Sequence, residues 1–235
     1  MGLRTLPVMA ESDVIPLFPL GSVLYPGLLL PLNVFEPRYR RLVQDLLARP
    51  EEQRTFGVVA IRQGREVGAD GITALHAVGC AAQLRRVEEQ DDGRFHLVTT
   101  GGPRFTLGRL DDSSHPYLQA EVTWLPEEAG ASEPEVGALA ERVATGFRGY
   151  LAALATARGN ELEVPQLPTD PAVLSYLVAA AVVADLADKQ ALLAAPSVVS
   201  RLASERSLLA RERALITALP TAPATELTRV PWSPN

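Results

Sequence analysis

Residues 15–39, IPLFPLGSVLYPGLLLPLNVFEPRY, constrain the fold more than any other stretch, because dense apolar character is interrupted by Pro16, Pro19, Pro26 and Pro31 before Phe35-Glu36-Pro37-Arg38-Tyr39. Proline lacks the N–H that a central strand needs and biases the preceding residue toward extended geometry. The run therefore predicts short extended pieces, with four strand edges or corners instead of one long strand. Pro37 suits the first turn of a helix, where its missing N–H costs nothing. Glu36 falls at or beside the cap, where a carboxylate meets orphan N–H groups and the positive end of the helix dipole. Tyr39, Leu42, Val43, Leu46 and Leu47 follow at helical spacing and predict an apolar stripe.

Residues 13–125 then read mostly as strands. Leu118, Ala120, Val122 and Trp124 alternate with Gln119, Glu121 and Thr123, the two-residue period of a half-buried strand. Residues 55–61, 72–87, 94–100 and 104–110 are β-rich. Asp91-Asp92-Gly93 signals a hairpin in which glycine supplies the positive φ of a primed turn, and Gly101-Gly102-Pro103 reads as a further break. Several short strands with one helix among them predict a small, closed or nearly closed β-barrel. Composition shifts at Pro126-Glu127-Glu128-Ala129-Gly130, and helices follow. The first has capping-box spacing at Ser132-Glu133-Pro134-Glu135, then a stripe of Val136, Leu139, Ala140, Val143, Phe147, Tyr150, Leu151 and Leu154, ending near Gly159-Asn160. The second follows Asp170-Pro171 and is apolar nearly all round, which predicts the centre of a bundle. The last opens near Pro196-Ser197, with Leu202, Leu209 and Ile216 on one side and Arg201 and Glu205 expected to pair on the outer face.

These segments resemble the Lon protease N-terminal, or substrate-binding, domain family, whose members open with an LFPL…V.(F/Y)PG…LPL..FEPRY pattern. Further matches occur in order: Phe56-Gly57-Val58-Val59, Val67-Gly68, Val78-Gly79-Cys80-Ala81, Asp92-Gly93-Arg94-Phe95, Gly102-Pro103-Arg104-Phe105 and Tyr117-Leu118-Gln119-Ala120-Glu121-Val122. The likeness continues through LPTDPAVLSYLVAAAVVADLADKQALLAAPSVVSRLASERSLLARERALI and covers roughly residues 12–217. The resemblance implies an α+β protein with an N-terminal PUA-like β-barrel and one inserted helix, followed by a C-terminal α-helical bundle. Expected boundaries are 13–126 for the barrel, 131–218 for the bundle and 219–235 for a disordered tail, with residues 1–12 a loose start. Full-length family members continue into an ATPase module, so the resemblance also implies a standalone domain protein without proteolytic activity.

Composition narrows the chemistry. A chain of 235 residues, 47% hydrophobic and 21% charged, is globular and can bury a core. Its net charge of −6 divides into 13 basic and 15 acidic side chains over residues 1–125 and 9 and 13 over residues 126–235, so neither part is built to attract phosphate. One cysteine excludes an internal disulfide, the longest apolar run (174–186) reads as a buried helix, and no apolar leader follows a basic start. A cytoplasmic location is expected.

No catalytic, cofactor or metal site is expected. Lys189 stands in Asp-Lys-Gln with no glycine loop before it, which excludes a phosphate-cradling ATPase motif and reads as a solvated helix-end lysine. Ser113-Ser114-His115 beside Asp111-Asp112 reads as a polar turn, since the partners of a triad normally come from distant segments. His76, His96, His115 and Cys80 lack metal-ligand spacing, and Cys80 reads as a buried structural thiol. Arg38, Arg40 and Arg41 around Tyr39, together with Arg85-Arg86, keep an RNA- or nucleotide-binding PUA-like module as the alternative. The principal expectation, from the resemblance, is a non-enzymatic module that binds unfolded or exposed polypeptide, as an adaptor or regulator in protein quality control. The residues singled out are Phe35, Glu36, Arg38, Tyr39 and Arg104, with peptide-binding and structural roles both open. Phe18, Tyr25 and Leu28-Leu29-Leu30 likewise divide between core and recognition surface.

Overall fold

In the computed structural model, which describes residues 12–64, 72–159 and 166–218, the chain forms two compact units, and the first is a closed barrel. The strands are β1 (Ser12–Leu20), β2 (Leu29–Val34), β3 (Thr55–Gly64), β4 (Ile72–Leu75), β5 (Val78–Glu89), β6 (Phe95–Asp111) and β7 (Gln119–Leu125), with α1 (Pro37–Leu47) between β2 and β3. The order β1-β7-β6-β5-β3 closes through a parallel β1–β3 pairing, while β2 adds to β6 and β4 to β3. The expected loose start, tail, Val67-Gly68 match and Asn160 helix end lie outside the described residues.

Pro16 and Pro19 do not divide β1 as expected, and the reason is a change of partner. Ser12 to Pro16 pair antiparallel with β7, whereas Leu17 to Leu20 pair parallel with β3. The Leu17 N–H donates to Leu118 O on the β7 side (2.8 Å). Because successive N–H groups face opposite edges, Pro16 turns its ring nitrogen to the β3 edge before that pairing begins. Pro19 turns its own to the β7 edge after that pairing has ended. Gly101-Gly102-Pro103 likewise lies inside one continuous strand, β6. There Cys80 faces Arg104 and Ala82 faces Gly101, so a bulge accommodates the proline. Gly101 is required for another reason: a Cβ would collide with the Tyr25 carbonyl. The β5–β6 hairpin carries Gly93 at φ 74° without any other positive-φ residue in its loop, which makes it a longer loop with a left-handed glycine and not a two-residue primed turn.

A cluster of Ile15, Leu17, Val59, Phe105, Ala120 and Val122 fills the barrel, and Phe18 stacks on Tyr39 at 4.2 Å between ring centres. The barrel unit also takes in a helix from far along the chain, α4 (Leu186–Ala194), from within the interval expected to form the bundle. Three side chains fasten it. Tyr25 Oη donates to Lys189 O (2.9 Å), Gln190 Nε2 to Val78 O (2.8 Å), and Arg104 to Leu193 O (2.8 Å). Lys189 sits half-buried within α4 and not as a solvated residue at a helix end, and desolvation holds its ammonium below the usual lysine range.

The second unit contains α2 (Glu133–Ala157), α3 (Pro171–Ala181) and α5 (Val198–Ala218). The Ser132 N–H and Oγ both donate to Glu135, and Asp170 accepts from Val173 N (2.9 Å), so both expected starts are capped. The apolar run 174–186 is not one helix: α3 stops at Ala181, where Val183 N turns to donate to Tyr150 Oη (3.0 Å). Among the described residues no helix is long and apolar enough to cross a membrane.

Arg201 and Glu205 overturn the outer-face expectation, because both are fully buried. Arg201 Nε donates to Ser175 Oγ (2.7 Å), and its guanidinium lies 3.8 Å from the Tyr176 ring centre. Among the described residues neither oxygen of Glu205 has a hydrogen-bond partner, and desolvation pushes its carboxyl up to about 9 against the opposing pull of Arg201. The folded state thus binds this proton more tightly than the unfolded chain. Its contribution to stability is complete below the ordinary glutamate range and is lost as pH rises through about 9. Glu205→Gln is expected to raise the urea midpoint at neutral pH and to flatten a decline of up to about 1.4 kcal/mol per pH unit, measured by denaturation across that range.

Candidate functional site

β2 is an edge strand of the barrel unit, paired with β6 alone among the described residues. Leu29, Pro31 and Asn33 are exposed while Leu30, Leu32 and Val34 turn inward, so a two-residue alternation gives this strand one outward face. Two concavities share Pro31, Leu32 and Asn33. One, of about 220 Å³, lies among Phe18, Pro19 and Leu20 of β1, β2 itself, and Phe35, Glu36 and Tyr39. The other, of about 360 Å³, extends over His96 and Val98 of β6 and Arg86 and Glu88 of β5. Register explains the second group, since Asn33 faces His96 on β6 and His96 faces Glu88 on β5. Leu29 is 68% exposed and Phe35 50%, large apolar side chains left in water beside these concavities.

The helix entry places the other singled-out residues. Glu36 is the N-cap of α1 by backbone geometry, with Pro37 at the first position, but its carboxylate makes no cap hydrogen bond. It pairs instead with Arg38 at 3.0 Å, and Arg38 also covers the Tyr39 ring at 4.6 Å. Tyr39 is buried with Leu42, Val43 and Leu46. Glu36, Arg38 and Tyr39 thus form a stacked, charge-compensated wall from which Phe35 projects. Arg40 and Arg41 diverge from it: a Cβ at Gly93 would meet the Arg40 guanidinium, and Arg41 pairs with Asp45 at 2.9 Å.

Arg104 is not at this cleft. It is 3% exposed, donates to Leu193 O (2.8 Å) and Pro126 O (3.3 Å), and lies 3.4 Å from the Glu127 carboxylate. It closes the C-terminal end of α4, where unpaired carbonyls concentrate negative charge. Sequence spacing gives no sign of this, because carbonyl acceptors carry no residue identity. β2 is different: the exposed Pro31 and Asn33 stand two apart among Leu30, Leu32 and Val34, a readable signal.

The remaining polar clusters are local. Asp111 accepts from Ser113 N (2.9 Å), Ser113 Oγ (2.8 Å) and both N and Oγ of Ser114, and the Ser114 hydroxyl foremost holds its carboxyl well below the usual range. His115 packs against Tyr117, whose hydroxyl donates to Asp45 (2.9 Å); desolvation foremost pushes the Tyr117 phenol up to about 12. Cys80 is buried, donates to Gly102 O (3.3 Å), and has its thiol pushed up to about 12 by burial. Among the described residues no three His, Cys, Asp or Glu side chains converge to hold a metal. Arg86 pairs with Glu88, and Arg85 donates to Thr100 Oγ1 (3.3 Å), so the paired arginines are engaged locally.

Residues 14–211 match the family model for the ATP-dependent protease La (LON) substrate-binding domain. Among similar proteins, Lon protease 1 of Herpetosiphon aurantiacus is 29% identical over 89% of this chain and 25% of its own length. Lon protease 2 of Sorangium cellulosum is 28% identical over 88% of this chain and 26% of its own. The chain thus spans about a quarter of the length of the curated relatives it matches. The structure of the N-terminal domain of Mycobacterium avium complex Lon protease superposes with a TM-score of 0.59 at 22% identity, over 86% of this chain and 98% of that one. A Lon N-terminal domain protein from Xanthomonas campestris gives 0.57 at 26%, over 84% and 98%.

The two kinds of residue separate by measurement. Arg104→Met leaves buried carbonyls without their donor and is expected to cost about 3 kcal/mol in urea denaturation. Tyr39→Ala should cost a similar amount through lost stacking and the cavity left behind, about 3 kcal/mol. Phe35→Ser should stay within about 0.5 kcal/mol of the parent, because its ring is half in water already.

Proposed function

This chain belongs to the ATP-dependent protease La (LON) substrate-binding domain family, and from that membership we propose that it is a non-enzymatic module that recognises exposed polypeptide segments at the β2 cleft. One observation carries the reading. Leu29 and Phe35 stand in solvent beside two concavities whose mixed linings include Phe18, Leu20, Leu32 and Val98, on a fold whose other large apolar side chains are mostly buried. Apolar area exposed at that position is removed from water when an apolar segment docks, at roughly 25 cal/mol per Å². The relatives' names supply the biological setting. A recognition element with no hydrolytic machinery of its own would act as an adaptor or regulator in protein quality control. The charge balance supports polypeptide over nucleic acid, since the arginines near the cleft are paired with Glu36 and Glu88 and the whole chain carries −6.

The test is fluorescence anisotropy of the 235-residue chain against a labelled, reduced and carboxymethylated unfolded protein and against a mixed-sequence RNA, in one moderate-salt buffer. Saturable binding of the polypeptide with a flat RNA curve is expected. RNA binding alone, or two flat curves, would overturn the reading. Leu29→Ser combined with Phe35→Ser should weaken polypeptide binding about tenfold, about 1.4 kcal/mol, with the melting temperature unchanged within error.

A further inference from the structure

We propose that the bound segment is an uncharged, extended strand that adds to the outer edge of β2, alongside the end of β1; this rests on the polypeptide-recognition reading above. Among the described residues β2 pairs only with β6, so its other edge carries main-chain groups without a strand partner. Their direction follows from two contacts. Leu28 O accepts from Gly101 N (2.8 Å) and Leu30 O from Thr99 Oγ1 (3.0 Å), which turns the even-numbered residues toward β6. Alternation then directs the N–H groups of Leu29 and Asn33, and the carbonyls of Leu29, Pro31 and Asn33, to the open edge. Pro31 removes the intervening donor. The remaining donors lie about 13 Å apart, the rise of four extended residues, so carbonyls at the same repeat in an added strand can accept both.

The side chains specify the occupant further. Leu29, Pro31 and Asn33 share the outward face with Val98 of β6 beside them, and Phe35 projects just past the strand end. An added strand with apolar residues at every second position would lay them along this row. Charge complementarity fixes the rest. Glu36 is neutralised by Arg38 and Glu88 by Arg86, so neither carboxylate nor guanidinium is left over to receive a charged side chain, which would lose water without gaining a counterion. On the β1 side Pro19 has no N–H to offer, so β2 supplies the donors.

The probe is a labelled, end-blocked peptide of about 12 residues, with valine alternating with threonine, titrated against the full chain. Two relatives of the peptide carry N-methyl groups on one or the other alternate set of amides. Strand addition uses one set only, so one methylated peptide should lose at least about tenfold in affinity while the other stays close to the parent. Equal behaviour of the two would overturn strand addition. A parent peptide that fails while the unfolded protein still binds would overturn it too, and leave polypeptide recognition standing. If the unfolded protein also fails, the recognition reading itself falls. Asn33→Pro removes an outward N–H on the edge that β6 does not use, and should reproduce the loss with an unchanged circular dichroism spectrum and melt. Retained affinity in that variant would remove the site from β2; should the variant not fold, the methylated pair still decides.

Discussion

The buried guanidinium of Arg104 is the contact on which the barrel unit is organised. A cation this far from water is tolerated only when it is paired, and here its two terminal nitrogens meet the terminal carbonyl region of α4, the Pro126 carbonyl and the Glu127 carboxylate. One residue in β6 therefore ties together three places in the chain: the longest strand, the segment leaving β7, and a helix 89 positions further on. Tyr25 and Gln190 add the second and third fastenings from a turn and from α4 itself. The same strand, β6, carries β2 along its first half and β7 along its second. Fixing β6 consequently fixes the open strand as well.

An exposed strand edge is a hazard as well as a resource. β2 is six residues long, holds a proline in mid-strand and is bordered by compensated ion pairs, three devices that restrain indiscriminate sheet extension. Its half-buried leucines turn inward and one edge is paired with β6, so the strand is anchored while its outer edge stays available. That combination suits reversible engagement of many sequences, because main-chain hydrogen bonds read extended geometry and make few demands on side-chain identity.

Much of this was legible from residues alone, and the failures have physical causes. Residues 118–124 announce their strand because one face is buried, and the caps at Ser132 and Asp170 announce their helices because hydrogen-bonding side chains stand at fixed offsets. Prolines in β1 misled because sequence does not disclose a strand that exchanges partners midway. Arg201 and Glu205 misled because a helical i, i+4 charge pair looks the same on a solvent face and in a core; Ser175 and Tyr176, which receive the arginine, are distant in sequence. At the cleft, Phe35, Glu36 and Tyr39 were readable as an unusual helix entry, whereas Arg86, Glu88 and His96 join only through strand register.

The inclusion of α4 makes the barrel a discontinuous object. Its strands are complete by Leu125, yet the helix that receives Tyr25, Arg104 and the Val78 carbonyl is not synthesised until after residue 185. During synthesis, then, a barrel with every strand in place must wait through some sixty further residues with its buried arginine still lacking the α4 carbonyl. Completion of this unit therefore requires a segment late in the chain, and a chain cut at the end of the last strand would lack part of its own interior.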